Sequence, residues 1–150
     1  MGQFYEGLGE ELSLYVRQFA WLLAIPRVKD ARGVETKLPA RIEPYNERKA
    51  EPPLPPLAER HLVDWLMEVG PINASEMGKT PITWTMIRDW AALTFKRLTA
   101  WEARLLRRLS TEYLAELQAA EDHTRPAPWS PGRLEVTAEE AERRLRAVLG

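Results

Sequence analysis

The sequence predicts an all-α protein: a small helical bundle with an N-terminal amphipathic helix, a proline-rich linker and a C-terminal helix. Three observations lead to this fold class. Apolar residues recur at helical spacing in several separate stretches, the Thr-x-x-Glu pattern of a capping box occurs twice, and the 12 prolines lie between the apolar stretches. We expect four parts: residues 1–43, 44–56, 57–129 and 130–150.

Helical periodicity begins near the N-terminus. Glu10 and Glu11 lie close to the start of this stretch, where the helix dipole favours negative charge, and Pro26 ends it. The residues on one helical face are Leu8, Leu12, Tyr15, Val16, Phe19, Leu22 and Leu23.

One segment allows an exception to the helical pattern. Residues 26–38 carry two short extended stretches around Asp30 and Gly33, which is the arrangement of a short β-hairpin. Because an isolated hairpin is marginal in water, this one must pack on another part of the protein.

Prolines alternate with charged residues over positions 44–56. This composition predicts a stiff, extended linker that separates the N-terminal helix from the rest. A ligand for an SH3-type domain is the alternative that the same composition allows.

Three helices are expected in residues 57–129. The first covers 58–69 and ends at Gly70 and Pro71, and residues 72–80 read as a loop. The second begins near Pro81, and the third begins at the capping box of Thr99 and Glu102 and runs to about residue 122. The apolar face of the third helix carries Leu105, Leu106, Leu109, Tyr113, Leu114 and Leu117.

A second capping box, Thr137 with Glu140, predicts the C-terminal helix. Its acidic residues precede its arginines, the order that the helix dipole favours. Its narrow apolar face, suited to a docking helix or a loosely held tail, carries Ala141, Leu145, Val148 and Leu149.

Charge and composition limit the function classes. Lys and Arg number 21 against 22 Asp and Glu, so the net charge of -1 disfavours nucleic acid and anionic lipid as partners. The chain has no cysteine, its apolar run at 19–25 is too short to cross a bilayer, and Glu6, Glu10 and Glu11 occupy the region where a signal peptide is basic. We expect a soluble, intracellular protein.

Catalytic patterns are absent from the sequence. His61 and His123 lie in different segments without other ligands at metal-binding spacing, and no glycine-rich phosphate loop or nucleophile elbow occurs. Glu112 and Glu116 have the spacing of paired acids on one helix, but an exposed helical face explains them at least as well. We therefore expect no enzyme, no metal and no cofactor.

A helix-turn-helix is the competing interpretation of residues 82–109. Arg104, Arg107 and Arg108 lie off the apolar face and are placed to meet phosphates. The turn lacks a glycine, however, and the near-neutral charge favours a solvated arginine face.

The tryptophans are the other candidates for a binding surface. Trp65, Trp90 and Trp101 lie at or near apolar faces and read as core residues. Trp84 and Trp129 are harder to place: each either covers the core or forms an exposed anchor for a partner.

The order of residues over about 57–129 resembles the small tail assembly chaperones of long-tailed bacteriophages. The resemblance rests on PITWTMIRDWAALTFKRLTAWEARLLRRLSTEYLAEL followed by PAPW, and on the Trp-Leu pair and Met-Gly upstream. Met86 and Arg88 depart from it, where an acidic capping residue is expected, and so do Phe95 and Lys96, where the break usually contains glycine.

This resemblance implies a non-enzymatic role in virion assembly in the host cytoplasm. Such chaperones bind the long, helical tape measure protein and help to recruit tail tube subunits; self-association is open. A structural tail subunit retained in the virion is a further alternative. The expected partner-binding residues, not yet divided between core and groove, are Trp84, Trp90, Trp101, Leu105, Leu109, Tyr113 and Trp129.

Overall fold

The computed structural model describes residues 2–131, together with 143, 146 and 147. In residues 2–131 the helices are α1 Gly2–Leu23, α2 Glu43–Glu47, α3 His61–Val69, α4 Trp84–Leu93 and α5 Ala100–Ala119. The strands are β1 Arg27–Lys29, β2 Glu35–Lys37, β3 Asn73–Ser75 and β4 Gly78–Thr80. The predicted C-terminal helix at 130–150 lies, apart from a few residues, outside the described part of the chain.

The predicted all-α class is wrong, because two antiparallel hairpins accompany the helices. The β1–β2 hairpin falls within residues 26–38, and its turn is held by Asp30, whose Oδ1 accepts hydrogen bonds from the amides of Arg32 (2.8 Å) and Val34 (2.9 Å). The β3–β4 hairpin occupies part of the predicted loop at 72–80, and Gly78 closes its turn at φ 112°. Its strands are short, polar and mostly exposed, so they lack the alternating apolar pattern by which a sequence shows a strand.

Helix α1 lies lengthwise along α5, and the two run parallel. In the N-terminal halves of both helices, Gly9 lies beside Arg108 and Leu105; past their C-termini, the amide of Arg27 donates to the carbonyl of Glu121 at 2.7 Å. The predicted apolar faces of both helices form the contact, and α3 and α4 pack against it. The fully buried centre of this core includes Leu12, Val16, Leu62, Leu66, Ile82, Leu106 and Leu109.

Arg41 joins the C-terminal ends of α1 and α5. Its guanidinium donates to the carbonyls of Trp21 (3.1 Å), Ala120 (2.9 Å) and Asp122 (3.0 Å), and it stacks 4.5 Å from the Trp21 ring centre. Burial lowers the pKa of Arg41, while the nearby carboxylates of Glu116 and Asp122 act in the opposite direction. The last carbonyls of a helix have no hydrogen-bond partner within that helix, and Arg41 provides N–H donors to carbonyls at the ends of α1 and α5.

The proline-rich segment does not hold α1 away from the other helices. Leu54 and Leu57 pack against the core, Pro55 is buried, and the carbonyl of Pro53 accepts a hydrogen bond from Gln18 Nε2 at 2.9 Å. The expectation that this segment acts as a spacer is therefore wrong. Residues 51–57 lie across α1, and we call them the strap. Composition indicated an extended backbone but could not show that its leucines would find the core.

Side-chain caps mark the starts of α4 and α5. The capping box of Thr99 and Glu102 is confirmed, with hydrogen bonds of 2.9 and 3.1 Å in the two directions. Helix α4, expected to begin near Pro81, begins after Thr83, whose hydroxyl accepts from the amide of Met86. Helix α3 ends at Gly70 as predicted, and α2, with proline in its first turn, was not predicted.

Ser110 ties α5 to the segment that leads into α4. Its buried hydroxyl accepts from the amide of Ile82 at 2.9 Å and donates to the carbonyl of Pro71 at 2.7 Å. This pairing matters because a polar group without a partner is costly to bury.

We expect Ser110→Ala to lower the free energy of unfolding by about 1–3 kcal/mol, because it leaves a buried amide and a carbonyl without their partner. Chemical denaturation measures this change. Thr111→Ala is the matched control, since the exposed Thr111 hydroxyl bonds only to Arg107 of its own helix; we expect a change below about 0.5 kcal/mol. Equal effects of the two variants would contradict the role of Ser110.

Candidate functional site

An open groove runs along α1, between that helix and residues 55–61. It consists of three consecutive hollows of about 340, 380 and 580 Å³, and each shares lining residues with the next. Phe4, Leu8 and Glu59 belong to the first and second, and Glu11 and Ala58 to the second and third. We call this feature the α1 groove.

The length of the α1 groove suits a helix of about three turns. Phe4 lines one end and Leu14 the other, which on a helix of 1.5 Å rise are about 15 Å apart. The same rise means that about ten residues of a second helix fit alongside. Apolar side chains form most of the lining, so a partner with one apolar face matches this surface.

Aromatic side chains form the first end of the groove. The ring centres of Tyr5 and Trp101 are 4.8 Å apart, and Phe4 meets Tyr5 edge-on at 5.5 Å. Phe4 is 66% exposed and Tyr5 43% exposed, whereas Trp101 is half-buried. These rings thus present an apolar surface to solvent, the kind of surface that anchors protein partners.

Gln18 fixes the opposite end. This buried side chain donates through Nε2 to the carbonyl of Pro53 and accepts through Oε1 from the amide of Trp129 at 3.1 Å. Both ends of its amide are used, so one residue of α1 holds the strap and the chain beyond α5 in place. Trp129 is half-buried there and lines the third hollow.

The rim of the groove is mainly acidic. Glu11 accepts from the amide of Ala58, and His61 lies between Glu59 (3.4 Å) and Glu102 (3.7 Å). A partner with basic residues flanking its apolar face therefore complements this rim.

Two arginines beside the groove are held by the protein itself. Arg60 donates to the Tyr15 hydroxyl at 3.2 Å, and this hydrogen bond raises the pKa of Arg60 above its ordinary value. Arg108 lies 2.7 Å from Glu10, whose hydrogen bond is the main factor that raises the pKa of Arg108.

The structure divides the seven predicted partner-binding residues into three groups. Trp101 and Trp129 line the α1 groove, at its two ends. Trp84 lies elsewhere, 52% exposed on α4 with the Arg107 guanidinium 5.0 Å from its ring centre. The buried core residues are Trp90, Leu105, Leu109 and Tyr113. Whether any of them contacts a partner stays a prediction.

Sequence reasoning missed Phe4, Tyr5, Leu14 and Ala58. Phe4 and Tyr5 precede the first turn of the recognised apolar face, and a run of two aromatic residues beside it was the available signal. Ala58 could not be found, because its position in the groove depends on the strap crossing α1.

The arginines of the helix-turn-helix alternative are largely engaged within the protein. Arg107 Nε donates to the carbonyl of Ile82 at 3.1 Å and stacks on Trp84. Arg108 bridges Glu10 and Glu112, at 2.7 and 3.2 Å. Arg104 is exposed.

No known family model, curated protein or solved structure matches the chain. Among the described residues, His, Asp and Glu form no group that could hold a metal ion. No helix in the described part of the chain is long and apolar enough to cross a membrane.

Substitutions distinguish the core residues from the exposed ones. We expect Leu109→Ala to lower the free energy of unfolding by about 2–5 kcal/mol, because it opens a cavity at a fully buried site. Trp84→Ala removes an exposed ring and one cation–π contact, so we expect a loss below about 1 kcal/mol. Denaturant titration measures the free energy of unfolding of both variants. If Trp84→Ala lowers it as much as Leu109→Ala does, Trp84 belongs to the core.

Proposed function

We propose that this protein is a non-enzymatic tail assembly chaperone of a long-tailed phage, acting in the host cytoplasm. It binds hydrophobic helical segments of the tape measure protein during tail assembly. The observation that carries the proposal is the α1 groove, an exposed, mostly apolar surface long enough for about ten residues of a helix, with an aromatic end. The resemblance of residues 57–129 to such chaperones supports the same class.

The physical need for such a groove follows from the proposed client. A very long helical protein exposes apolar faces before the tail tube encloses it, and such faces aggregate. Covering one face for about ten residues keeps a segment soluble without enclosing it. The tube later displaces the chaperone, so binding has to be reversible. The open shape of the groove suits such reversible binding.

The helix-turn-helix alternative receives less support. Arg107 and Arg108 would have to leave the contacts of 2.7–3.2 Å described above before they could bind phosphates. A structural tail subunit remains the second candidate, because an apolar groove also suits a permanent neighbour in a virion. Presence of the protein in purified particles would favour that alternative.

The test is capture of the client by variants of the groove. The tagged protein is co-expressed with the phage tail genes, and co-purified proteins are identified and quantified. Ala58→Glu places a charge in the middle of the groove at an exposed position, so we expect capture of a long helical protein to fall at least about tenfold.

Two variants serve as comparisons. Val34→Ser removes an exposed apolar side chain from the β1–β2 turn and should leave capture unchanged. Trp84→Ala tests the surface of α4. If Trp84→Ala abolishes capture and Ala58→Glu does not, the binding surface is on α4; recovery of nucleic acid alone would contradict the chaperone function.

A further inference from the structure

Phe95 occupies a backbone position that normally holds glycine. Helix α4 ends in a Schellman motif, in which the amide of Lys96 donates to the carbonyl of Ala91 at 2.9 Å and that of Phe95 to Ala92 at 3.4 Å. Phe95 lies at the left-handed position of this motif, with φ 56°. Glycine adopts this conformation without strain, whereas phenylalanine does so at a cost in stability.

Among the residues that the structure describes, the Phe95 side chain has no packing contact that offsets this cost. It is 93% exposed, and Leu93, two residues earlier, is 80% exposed. Residues that hold strained backbone conformations tend to occur at functional sites. The strain and the exposure therefore point together to a contact outside this copy of the chain. We call Leu93 and Phe95 the apolar knob.

Charge identifies the kind of surface that the knob fits. Lys96 and Arg97 follow it directly, and Arg97 forms no ion pair with any described residue. The ammonium of Lys96 lies 5.8 Å from the ring centre of Trp65 on α3. An apolar side chain followed by two cations fits an apolar hollow with a carboxylate rim.

The chain itself has such a hollow. The middle of the α1 groove, with Phe4, Leu8 and Ala58, has a volume of about 380 Å³ and is bordered by Glu11 and Glu59. Within one copy, the knob points into solvent and does not fill it. The complementary partner is therefore a second copy of this chain.

We propose that two copies associate through a two-fold contact in which the knob of each enters the α1 groove of the other. Thr99 lines the groove and is four residues from Phe95, so the knob and the groove lie at the same end of the molecule. A surface that carries both complementary parts side by side suits an isologous dimer.

This association goes beyond the proposed function and is measured without any client. It would also cover the groove until a client competes for it. If the chain does not dimerise but still captures a client, the chaperone proposal stands and only this inference fails.

The test is Phe95→Gly, examined by sedimentation equilibrium over a range of protein concentrations. We expect the dimer dissociation constant to rise at least tenfold, because the knob is lost. We also expect the melting temperature of the monomer to rise, because glycine relieves the strain at φ 56°. These opposite effects separate docking from folding, since a residue needed for folding would lower the melting temperature.

Met77→Ser is the matched control. Met77 is 97% exposed on the β3–β4 turn, away from the knob and the groove, and its removal should leave the dissociation constant unchanged. Loss of the dimer in both variants would indicate unspecific apolar association and overturn the proposal.

A mixing experiment tests the two sides of the contact together. Ala58→Glu blocks the groove but retains the knob, and Phe95→Gly retains the groove. Each should be monomeric alone, and their mixture should form a heterodimer, held by one contact, that is weaker than the native dimer. The proposal is overturned if the native protein is monomeric at every concentration, if Phe95→Gly dimerises normally, or if Ala58→Glu has no effect on the dimer.

Discussion

The lengthwise packing of α1 on α5 is the contact on which the rest of the structure depends. It supplies most of the core, and because the two helices are parallel, the chain between them must return from one end to the other. That return contains both hairpins, α2, the proline-rich strap, α3 and α4. Gly9 lies beside Leu105 and Arg108 in the N-terminal halves of the two helices, and Arg41 joins their C-terminal ends.

The α1 groove follows from this arrangement. The side of α1 that faces away from α5 is covered only partly by the strap, because prolines and small residues cannot fill the space that another helix would fill. Gln18 fixes how far the strap and the segment at Trp129 approach each other. An apolar surface thus remains open because of how the chain returns, and the same surface serves a client helix or a second copy in our account.

Local features of the fold could be predicted from the sequence because they depend on neighbouring residues. The apolar faces of α1 and α5 have helical spacing, and the Thr99 and Glu102 cap depends on residues three positions apart. The all-α class failed because the β3–β4 hairpin depends on turn geometry at Gly78 rather than on an apolar pattern. The pattern also could not show which face packs on which, so it gave no sign that the strap contacts the core.

The candidate site was harder to predict for the same reason. Trp101 and Trp129 were among the expected residues, but they meet the groove only because α1 and the strap lie between them. Leu109 and Tyr113 belong to the same apolar face as other core residues, and the sequence offered no means to separate core from surface. The strain at Phe95 is invisible in sequence until the end of α4 is known.

The most direct measurement is photo-crosslinking from within the groove. A photoreactive residue at Ala58 is compared with one at Ala74, which is exposed on β3 and lies outside the groove. During co-expression with the tail genes, our account predicts crosslinks from position 58 to the apolar face of helical segments in one long protein, and none from position 74. Equal crosslinking from both positions, or crosslinking from position 74 alone, would contradict the assignment of the α1 groove as the binding site.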